Sequence, residues 1–494
     1  MLSTVPRKIL LLIAGHLPSP KDTLSLAASC HTFHAFLTPY AFTILDLDKL
    51  KLSHISRLTH VLVRNPQLSR AVLALRIGDV GCSQSSEILY EPDTMRPLLE
   101  AATATVPATS PSTSRKVQSW EEALKSENSD ADPWVAVLLL LLPNLEELAM
   151  SIHWPSTYTR NMIQRATSRR DDTDVAQPLS RLREVTFRWW DTESGLPSSW
   201  ILPFFRLPRL RIFRGEMLCD GDRQDEVLHE EYSDDYEHVE EAEEGSKAEV
   251  ANSLPREHFS NVTHLHLHYG NSERGFPDLI SASRSLKSFV YEHSGQNGGL
   301  DPLNPRGFYE SLYRHKDSLV DITVCEDMWS YSVESNDDDA PEKQFIGSFA
   351  DFGVLRKLRL PGQNVLDWMP PSPDTEMRVG AGARNTLAEI LPVSLECLTI
   401  EAFQECDSVS LTGYLEDFVR GHCPKLRVLE IKGRGRCWDE ILANLAEMCR
   451  RRGIMFRSWD PVEEYFIKQK AMMKAHQEKL ELERELRELV RETV

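Results

Sequence analysis

A short pattern of apolar residues recurs nine times in this chain: an apolar residue, two variable positions, a second apolar residue, one variable position and a third apolar residue. The copies are Leu145–Met150, Leu182–Phe187, the shorter Leu210–Phe213, Val262–Leu267, Leu286–Tyr291, Leu319–Val324, Leu355–Leu360, Leu395–Ile400 and Leu426–Ile431. In each full copy the last two apolar residues alternate as they do in a half-buried β-strand. Because one such strand cannot bury its apolar side chains alone, the recurrence predicts stacked strand–helix units that share one core.

Helical patterns separate several of the copies. The clearest helical segments are Trp134–Leu142, Gly307–Arg314, Leu415–His422 and Trp438–Arg451. Before the first copy, residues 50–63 have helical spacing, and the alternation of Leu73, Leu75 and Ile77 predicts an earlier strand. We therefore predict an α/β fold, a curved solenoid with a parallel sheet on its concave face. An ordinary α/β domain with several similar strands is the alternative.

The N-terminal residues 5–42 predict three short helices. Ser19 is placed to cap the second helix, with Asp22 three positions further on, and Pro39 is expected to end the third. The first helix contains Ile9–Ile13, five apolar residues in a row, which point all around a helix rather than along one side. A unit of this length is near the lower limit for independent folding. Part of its apolar surface should therefore meet the rest of the chain or a second protein.

The same N-terminal residues carry a resemblance to a known motif. Its elements are Val5-Pro6, Ile9-Leu10, Ile13 and Leu17, the series Asp22-x-Leu24-x-Leu26, the pair Ser29-Cys30, and then Phe33 and Leu37. In order and spacing these residues are similar to the F-box motif. The recurring strands look like the divergent leucine-rich repeats that often follow F-boxes. The series Arg64-Asn-Pro-x-Leu68 resembles the join between the two in fungal members.

This resemblance implies the substrate-recognition subunit of an SCF-type cullin–RING ubiquitin ligase. The F-box would bind a Skp-family adaptor within the cullin complex, the repeats would bind an unknown target protein, and the chain itself would catalyse no reaction. The residues expected to face or support the adaptor are Pro6, Ile9, Leu10, Ile13, Leu17, Leu24, Leu26 and Phe33. Two alternatives stay open: a leucine-rich-repeat interaction scaffold without a ubiquitin role, and an unrecognised enzyme.

The sequence contains no arrangement that predicts catalysis or a cofactor. A phosphate-binding glycine loop, a G-x-S-x-G turn and an H-E-x-x-H zinc motif are all absent. On a strand, three alternating histidines at positions 264, 266 and 268 project from one face, where we expect them to line the sheet rather than bind a metal. We place target recognition on that face, because it mixes charged and hydrogen-bonding groups. The candidate target-binding residues are Arg188, His264, His266, His268, Glu292, Asp321, Arg359, Glu401 and Lys432.

Charge and cysteine content restrict the partners and the compartment. The net charge is −19, from 56 basic and 75 acidic residues, so we expect no nucleic acid partner. Nine cysteines without a C-x-x-C pair favour a reducing compartment. The longest apolar run, Val135–Leu142, is too short to span a bilayer, and we expect no membrane partner. We therefore expect a protein of the cytoplasm, the nucleus or both.

We divide the chain into four parts. An F-box-like helical unit occupies residues 1–45, a linker helix and first strand 46–78, an irregular repeat array 79–458, and a charged helix 459–494. Three insertions interrupt the array near residues 101–132, 220–250 and 361–385. The first is rich in Ala, Thr, Ser and Pro, the second is strongly acidic, and the third is rich in Pro and Gly. Their compositions predict disordered segments.

Overall fold

The structure is a computed structural model of the chain. It describes residues 6–17, 19–48, 50–78, 88–103, 111–126, 131–152, 156–167, 178–189, 195–220, 258–294, 303–326, 345–368, 382–402, 405–421, 423–433, 438–459 and 470. The acidic insertion from residue 221 onward lies outside these residues, and so does almost all of the predicted C-terminal helix.

Three helices form the N-terminal part, as predicted: α1 (Arg7–Gly15), α2 (Pro20–Ala27) and α3 (His31–Ala41). Ser19 caps α2. Its Oγ accepts a hydrogen bond from the Asp22 amide at 3.3 Å and donates one to the Asp22 carboxylate at 2.6 Å. The prediction that Pro39 ends α3 is wrong, because the helix continues to its end at Ala41. So close to a C-terminus, the missing proline N–H removes a single backbone hydrogen bond, which the helix tolerates.

These three helices share a small core, here called the helical unit's core. Its buried members are Leu10, Ala14, Ala27, Phe33 and Leu37, and the half-buried Leu26, Cys30, Phe36 and Tyr40 pack against them. The next elements are β1 (Ile44–Asp46), α4 (Leu52–Arg64), α5 (Pro66–Ala71) and β2 (Ala74–Ile77). Asn65 ends the predicted linker helix, and Pro66 starts a new one because proline suits a first helical position.

The chain divides into two compact units, the first comprising Met1–His268 with Asp278–Leu286, and the second comprising Tyr269–Pro277 with Lys287–Val494. The further strands that begin in the first unit are β3 (Glu147–Ile152), β4 (Glu184–Trp189), β5 (Leu196–Pro197), β6 (Ile212–Glu216), β7 (Leu218–Cys219) and β8 (His264–Gly270). Its further helices are α6 (Pro92–Thr103), α7 (Pro111–Lys125), α8 (Asp132–Leu140), α9 (Thr157–Thr167), α10 (Ser198–Ile201) and α11 (Pro277–Ala282). Strands β1, β2, β3, β4, β6 and β8 pair in this order, and every pair is parallel.

The second unit repeats this arrangement. Its strands are β9 (Ser288–His293), β10 (Asp321–Glu326), β11 (Lys357–Pro361), β12 (Cys397–Ala402), β13 (Val428–Gly433) and β14 (Met455–Trp459), paired in order and parallel. Its helices are α12 (Pro305–Leu312), α13 (Gly362–Val365), α14 (Leu387–Ile390), α15 (Glu405–Gly421) and α16 (Trp438–Arg452). All nine predicted copies are strands. Strand β14 was not predicted, because its sequence lacks the apolar alternation.

The core of each unit lies on one face of its strands. The alternating apolar residues of the pattern, such as Val185 and Phe187 in β4, are fully buried there. Phe187 packs edge-on against Trp200 of α10 and against Phe204, with ring centroids 5.5 and 4.9 Å away. The residues between them point to the opposite face, which we call the open face. Most copies therefore have one apolar and one polar side, as the sequence predicts, whereas the copies in β3 and β9 carry Ala149 and Val290 on the open face.

The expectation of disorder in the first insertion is wrong for most of its described part. Residues 111–125 form α7, in which Trp120 and Leu124 are buried. Two apolar residues four positions apart share one side of a helix, so a mostly polar segment can still dock. In the third insertion, Val365 of α13 is also buried, while residues 369–381 lie outside the described part.

Candidate interaction surfaces

The helical unit leaves four large apolar side chains exposed, which together we call the helical face. It consists of Ile9, Leu12 and Ile13 on α1 and Leu24 on α2. Their exposed fractions are 46%, 61%, 41% and 40%. All four are among the most exposed large apolar residues that the structure describes. Ile9, Leu12 and Ile13 lie at positions i, i+3 and i+4 and share one side of α1. A group of exposed apolar side chains on a small unit is typical of a protein-binding surface.

The predicted adaptor set divides into exposed, buried and half-buried residues. Pro6, Ile9, Ile13 and Leu24 are exposed, whereas Leu10 and Phe33 are buried in the helical unit's own core. Leu17 and Leu26 are half-buried. The buried residues can only support the helical face. Leu12, the most exposed member, was not among the predicted residues, although the uninterrupted apolar run on α1 contained the signal.

On the open face of the first unit, ion pairs join neighbouring strands. Arg188 of β4 binds Glu216 of β6 through its guanidinium, and Arg214 of β6 binds Glu184 of β4. The strand register aligns Arg188 with Glu216, whereas the second pair is diagonal. Of these residues, only Arg188 was predicted as target-binding. The shorter copy in β6 ends at Phe213, and its alternation continued along the strand includes Arg214 and Glu216.

Strand β8 places its three histidines on the same open face, as predicted. All three are half-buried, and the rings of His264 and His266 lie 6.3 Å apart, edge to face. Burial, the neighbouring Arg214 and the two flanking histidines lower the pKa of His266 to about 4. His266 is therefore neutral at physiological pH. Among the described residues, no group of three or more His, Cys, Asp and Glu side chains is arranged to hold a metal ion.

The open face of the second unit carries an ion cluster, here called the Glu401 cluster. Oε1 of Glu401 accepts a hydrogen bond from Nε of Arg359 on β11 at 2.7 Å. The same oxygen lies 2.5 Å from Nη2 of Arg359 and 3.3 Å from Nζ of Lys432 on β13. The Lys432 ammonium also sits over the ring of Trp459 on β14, 5.3 Å from its centre. Oε2 of Glu401 is buried and has no hydrogen-bond partner in the described part of the chain.

The second unit therefore brings together three of the predicted target-binding residues, which are 31 to 73 positions apart in sequence. Glu292 and Asp321 are half-buried on β9 and β10. The prediction treated all of these residues as exposed recognition groups, but Glu401 is 3% exposed. It can act on a partner only through the two cations that it binds. Cys325 of β10 lies on the same face and was missed; burial raises its pKa well above the ordinary value, so its thiol is neutral.

The repeat part of the chain has a counterpart among known families. Residues 249–439 match the family model of a leucine-rich repeat domain. The leucine-rich repeat match contains β8 to β13, and with them the histidine row and the whole Glu401 cluster except Trp459. No curated protein matches the chain. The match supports a protein-interaction role for the repeats, and the F-box resemblance of the helical unit stays a prediction. Among the described residues, no helix is both long and apolar enough to cross a membrane.

Proposed function

We propose that this protein is the substrate-recognition subunit of an SCF-type cullin–RING ubiquitin ligase. The helical unit binds a Skp-family adaptor, the leucine-rich repeats bind a target protein, and ubiquitin transfer is performed by the cullin complex rather than by this chain. The observation that carries the proposal is the helical face, an exposed apolar surface on a unit whose residues resemble an F-box. Fully burying an exposed Leu or Ile side chain contributes about 1.5–3 kcal/mol, so this surface can support a stable interface.

In this proposal the exposed and the buried residues of the helical unit have different roles. Ile9, Leu12, Ile13 and Leu24 contact the adaptor directly. Leu10 and Phe33 hold α1 against α3 from within the helical unit's core. A substitution on the helical face should therefore remove binding without unfolding the unit, whereas a substitution of a core residue should do both.

The decisive experiment is co-purification of the full chain with a recombinant Skp-family adaptor. Replacing Ile13 with Asp puts a charge beside the exposed Ile9 and Leu12 on α1, and we expect adaptor binding to fall at least about tenfold. The matched control is Val393→Asp, which adds the same charge at an apolar residue 71% exposed in the second unit. The control should bind like the unmodified chain. If Ile13→Asp keeps its adaptor while remaining folded, the docking assignment is wrong.

The alternative is a leucine-rich-repeat interaction scaffold without a ubiquitin role. One observation favours it: the family match begins at residue 249 and includes none of the helical unit. In that case the helical face covers another protein or part of this chain, and no adaptor is recovered with either variant. Ubiquitination of proteins captured by the unmodified chain, and its loss with Ile13→Asp, would count against the scaffold.

A further inference from the structure

The Glu401 cluster contains more positive than negative charge. One carboxylate is shared by the guanidinium of Arg359 and the ammonium of Lys432, and both cations bind the same oxygen, Oε1. The cluster therefore carries a net charge of +1. The neutral thiol of Cys325 adds no charge. Since a buried carboxylate fixes both cations, their positions are set before any partner arrives, which reduces the entropy lost on binding.

A partner approaching the open face meets the cations before the carboxylate. The side chain of Glu401 is 2% exposed, that of Lys432 is 16% exposed and that of Arg359 is 30% exposed. Arg359 uses Nε and Nη2 on Glu401, and its Nη1 has no partner among the described residues. The outer edge of the guanidinium thus keeps N–H donors in the planar geometry that suits a carboxylate.

The charges of the surrounding strands balance one another. On the open face of β11 to β14 lie four basic side chains, Lys357, Arg359, Lys432 and Arg457, and two acidic ones, Glu401 and Glu430. Asp321 of β10, in register with Lys357, and Glu292 of β9, which acts electrostatically on Arg359, add two negative charges on the same face. The preference for an anion is therefore local to the exposed donors of Arg359 and Lys432.

We propose that the Glu401 cluster binds a carboxylate side chain, Asp or Glu, of the target polypeptide. This proposal rests on the proposed function in one respect, that the ligand belongs to a target held by the repeats. The carboxylate accepts hydrogen bonds from the outer edge of Arg359 and from the ammonium of Lys432. A single negative charge matches the +1 of the cluster. Glu401 is a positioning residue that contacts only the two cations.

The test measures binding of fluorescent decapeptides to the full chain by anisotropy. Four peptides share an Ala/Ser/Gly background and carry three Glu, three Gln, three Lys or three phosphoserines. We expect the Glu peptide to bind, and the Gln and Lys peptides to bind at least about tenfold more weakly. Added salt should lower the affinity for the Glu peptide. Arg359→Gln and Lys432→Gln should each weaken it at least about fivefold, because each removes a donor and a charge.

Matched variants separate binding from folding. Arg356→Gln removes an equal charge from an exposed pair with Glu396 just before β11, and should leave the affinity within twofold. The double variant Arg359→Met with Glu401→Met keeps the net charge of the cluster and removes a buried pair together, a change that proteins often tolerate. It should stay folded and still lose the Glu peptide. Lys432→Arg should keep binding.

Three outcomes would overturn the proposal: no binding of the Glu peptide, equal binding by the Lys peptide, or unchanged affinity in folded Arg359→Gln and Lys432→Gln variants. A phosphoserine peptide that binds more than tenfold tighter than the Glu peptide would overturn the assignment of a carboxylate. The peptide test contains no adaptor. Its failure is therefore distinct from the failure of the Ile13→Asp co-purification, which tests the proposed function.

Discussion

The helical unit and the strands of the second unit present their side chains in opposite ways. In the helical unit the small core cannot accommodate all the apolar residues, and Leu12 and Ile13 are left exposed. In the strands every apolar residue of the pattern is buried, and the open face carries ion pairs such as Arg359–Glu401. The comparison suggests two modes of recognition in one chain. The first depends on burial of apolar surface and changes little with salt, and the second depends on charge and weakens with it.

The largest expected effect tests the same contrast with a strand residue of the first unit, where the apolar residues of the pattern are buried in the same way. Phe187→Ala should lower the free energy of unfolding by about 3–5 kcal/mol, because the ring is fully buried against Trp200, Phe204 and Phe213. Leu12→Ala, on the helical face, should change it by less than about 0.5 kcal/mol. Urea unfolding of both variants gives the two values. A large loss with Leu12→Ala would mean that the helical face is part of a core.

The second prediction concerns the ion pairs on the open face of the second unit. Glu401→Gln keeps the shape of the side chain but removes the charge that Arg359 and Lys432 share, and should cost about 1.5–3 kcal/mol, the usual value of hydrogen bonds to a charged group. The control is Glu447→Gln on α16, whose carboxylate pairs with Arg450 and Arg451 at the surface. Exposed pairs contribute little, so its unfolding midpoint should not move measurably. Equal midpoints for the two variants would show that the Glu401 cluster is solvated.

The sequence predicts the strands well and the site poorly, for a physical reason. Alternation is local, so six residues such as Leu395–Ile400 suffice to identify a strand and the side on which each residue lies. The pairing of Arg359 with Glu401 joins residues 42 positions apart. It depends on the register between β11 and β12, which the two sequences do not reveal.

Whether a side chain is buried is harder to predict from the sequence than the face of the sheet on which it lies. Glu401 and Thr399 alternate correctly on β12 and point to the open face, yet both are buried there. Whether a residue on that face is covered depends on its neighbours rather than on its own strand. The same limit explains α7, where the average composition of the insertion hid the two apolar residues, Trp120 and Leu124, that fix the helix.

The third prediction is a pH dependence of the first unit. The native pKa of His266 is lowered to about 4, with burial the largest cause, whereas an unfolded histidine titrates near 6.5. Because the unfolded state binds the proton first, His266 contributes stability above pH 6.5 that is lost as the pH falls toward 4. Because the His266 side chain is only half-buried, solvent screening reduces this contribution. The expected loss in the free energy of unfolding is about 1 kcal/mol.

Two variants check this pH dependence. His266→Gln should lose less stability than the unmodified chain between pH 6.5 and 4.5 in urea titrations. Arg214→Gln removes the largest neighbouring charge that lowers the pKa, so the NMR titration of the His266 ring should move to higher pH. A His266 midpoint between 6 and 7 in the unmodified chain would contradict the assignment.

The smallest expected effect compares two helix caps, one from each region. Ser19→Ala removes both hydrogen bonds to Asp22, and Thr386→Ala removes the capping box that Thr386 forms with Glu389 at the start of α14. Each should cost about 1 kcal/mol. The consequences should differ, because α2 belongs to a small unit with a small core, whereas α14 is anchored by the buried Leu387 and Ile390. Amide hydrogen exchange should therefore rise about fivefold across all of α2 in Ser19→Ala, but by less than about twofold in the single turn of α14 in Thr386→Ala. If the two caps behave alike, the helical unit is held as firmly as the repeats, and its exposed apolar face cannot be attributed to a shortage of core.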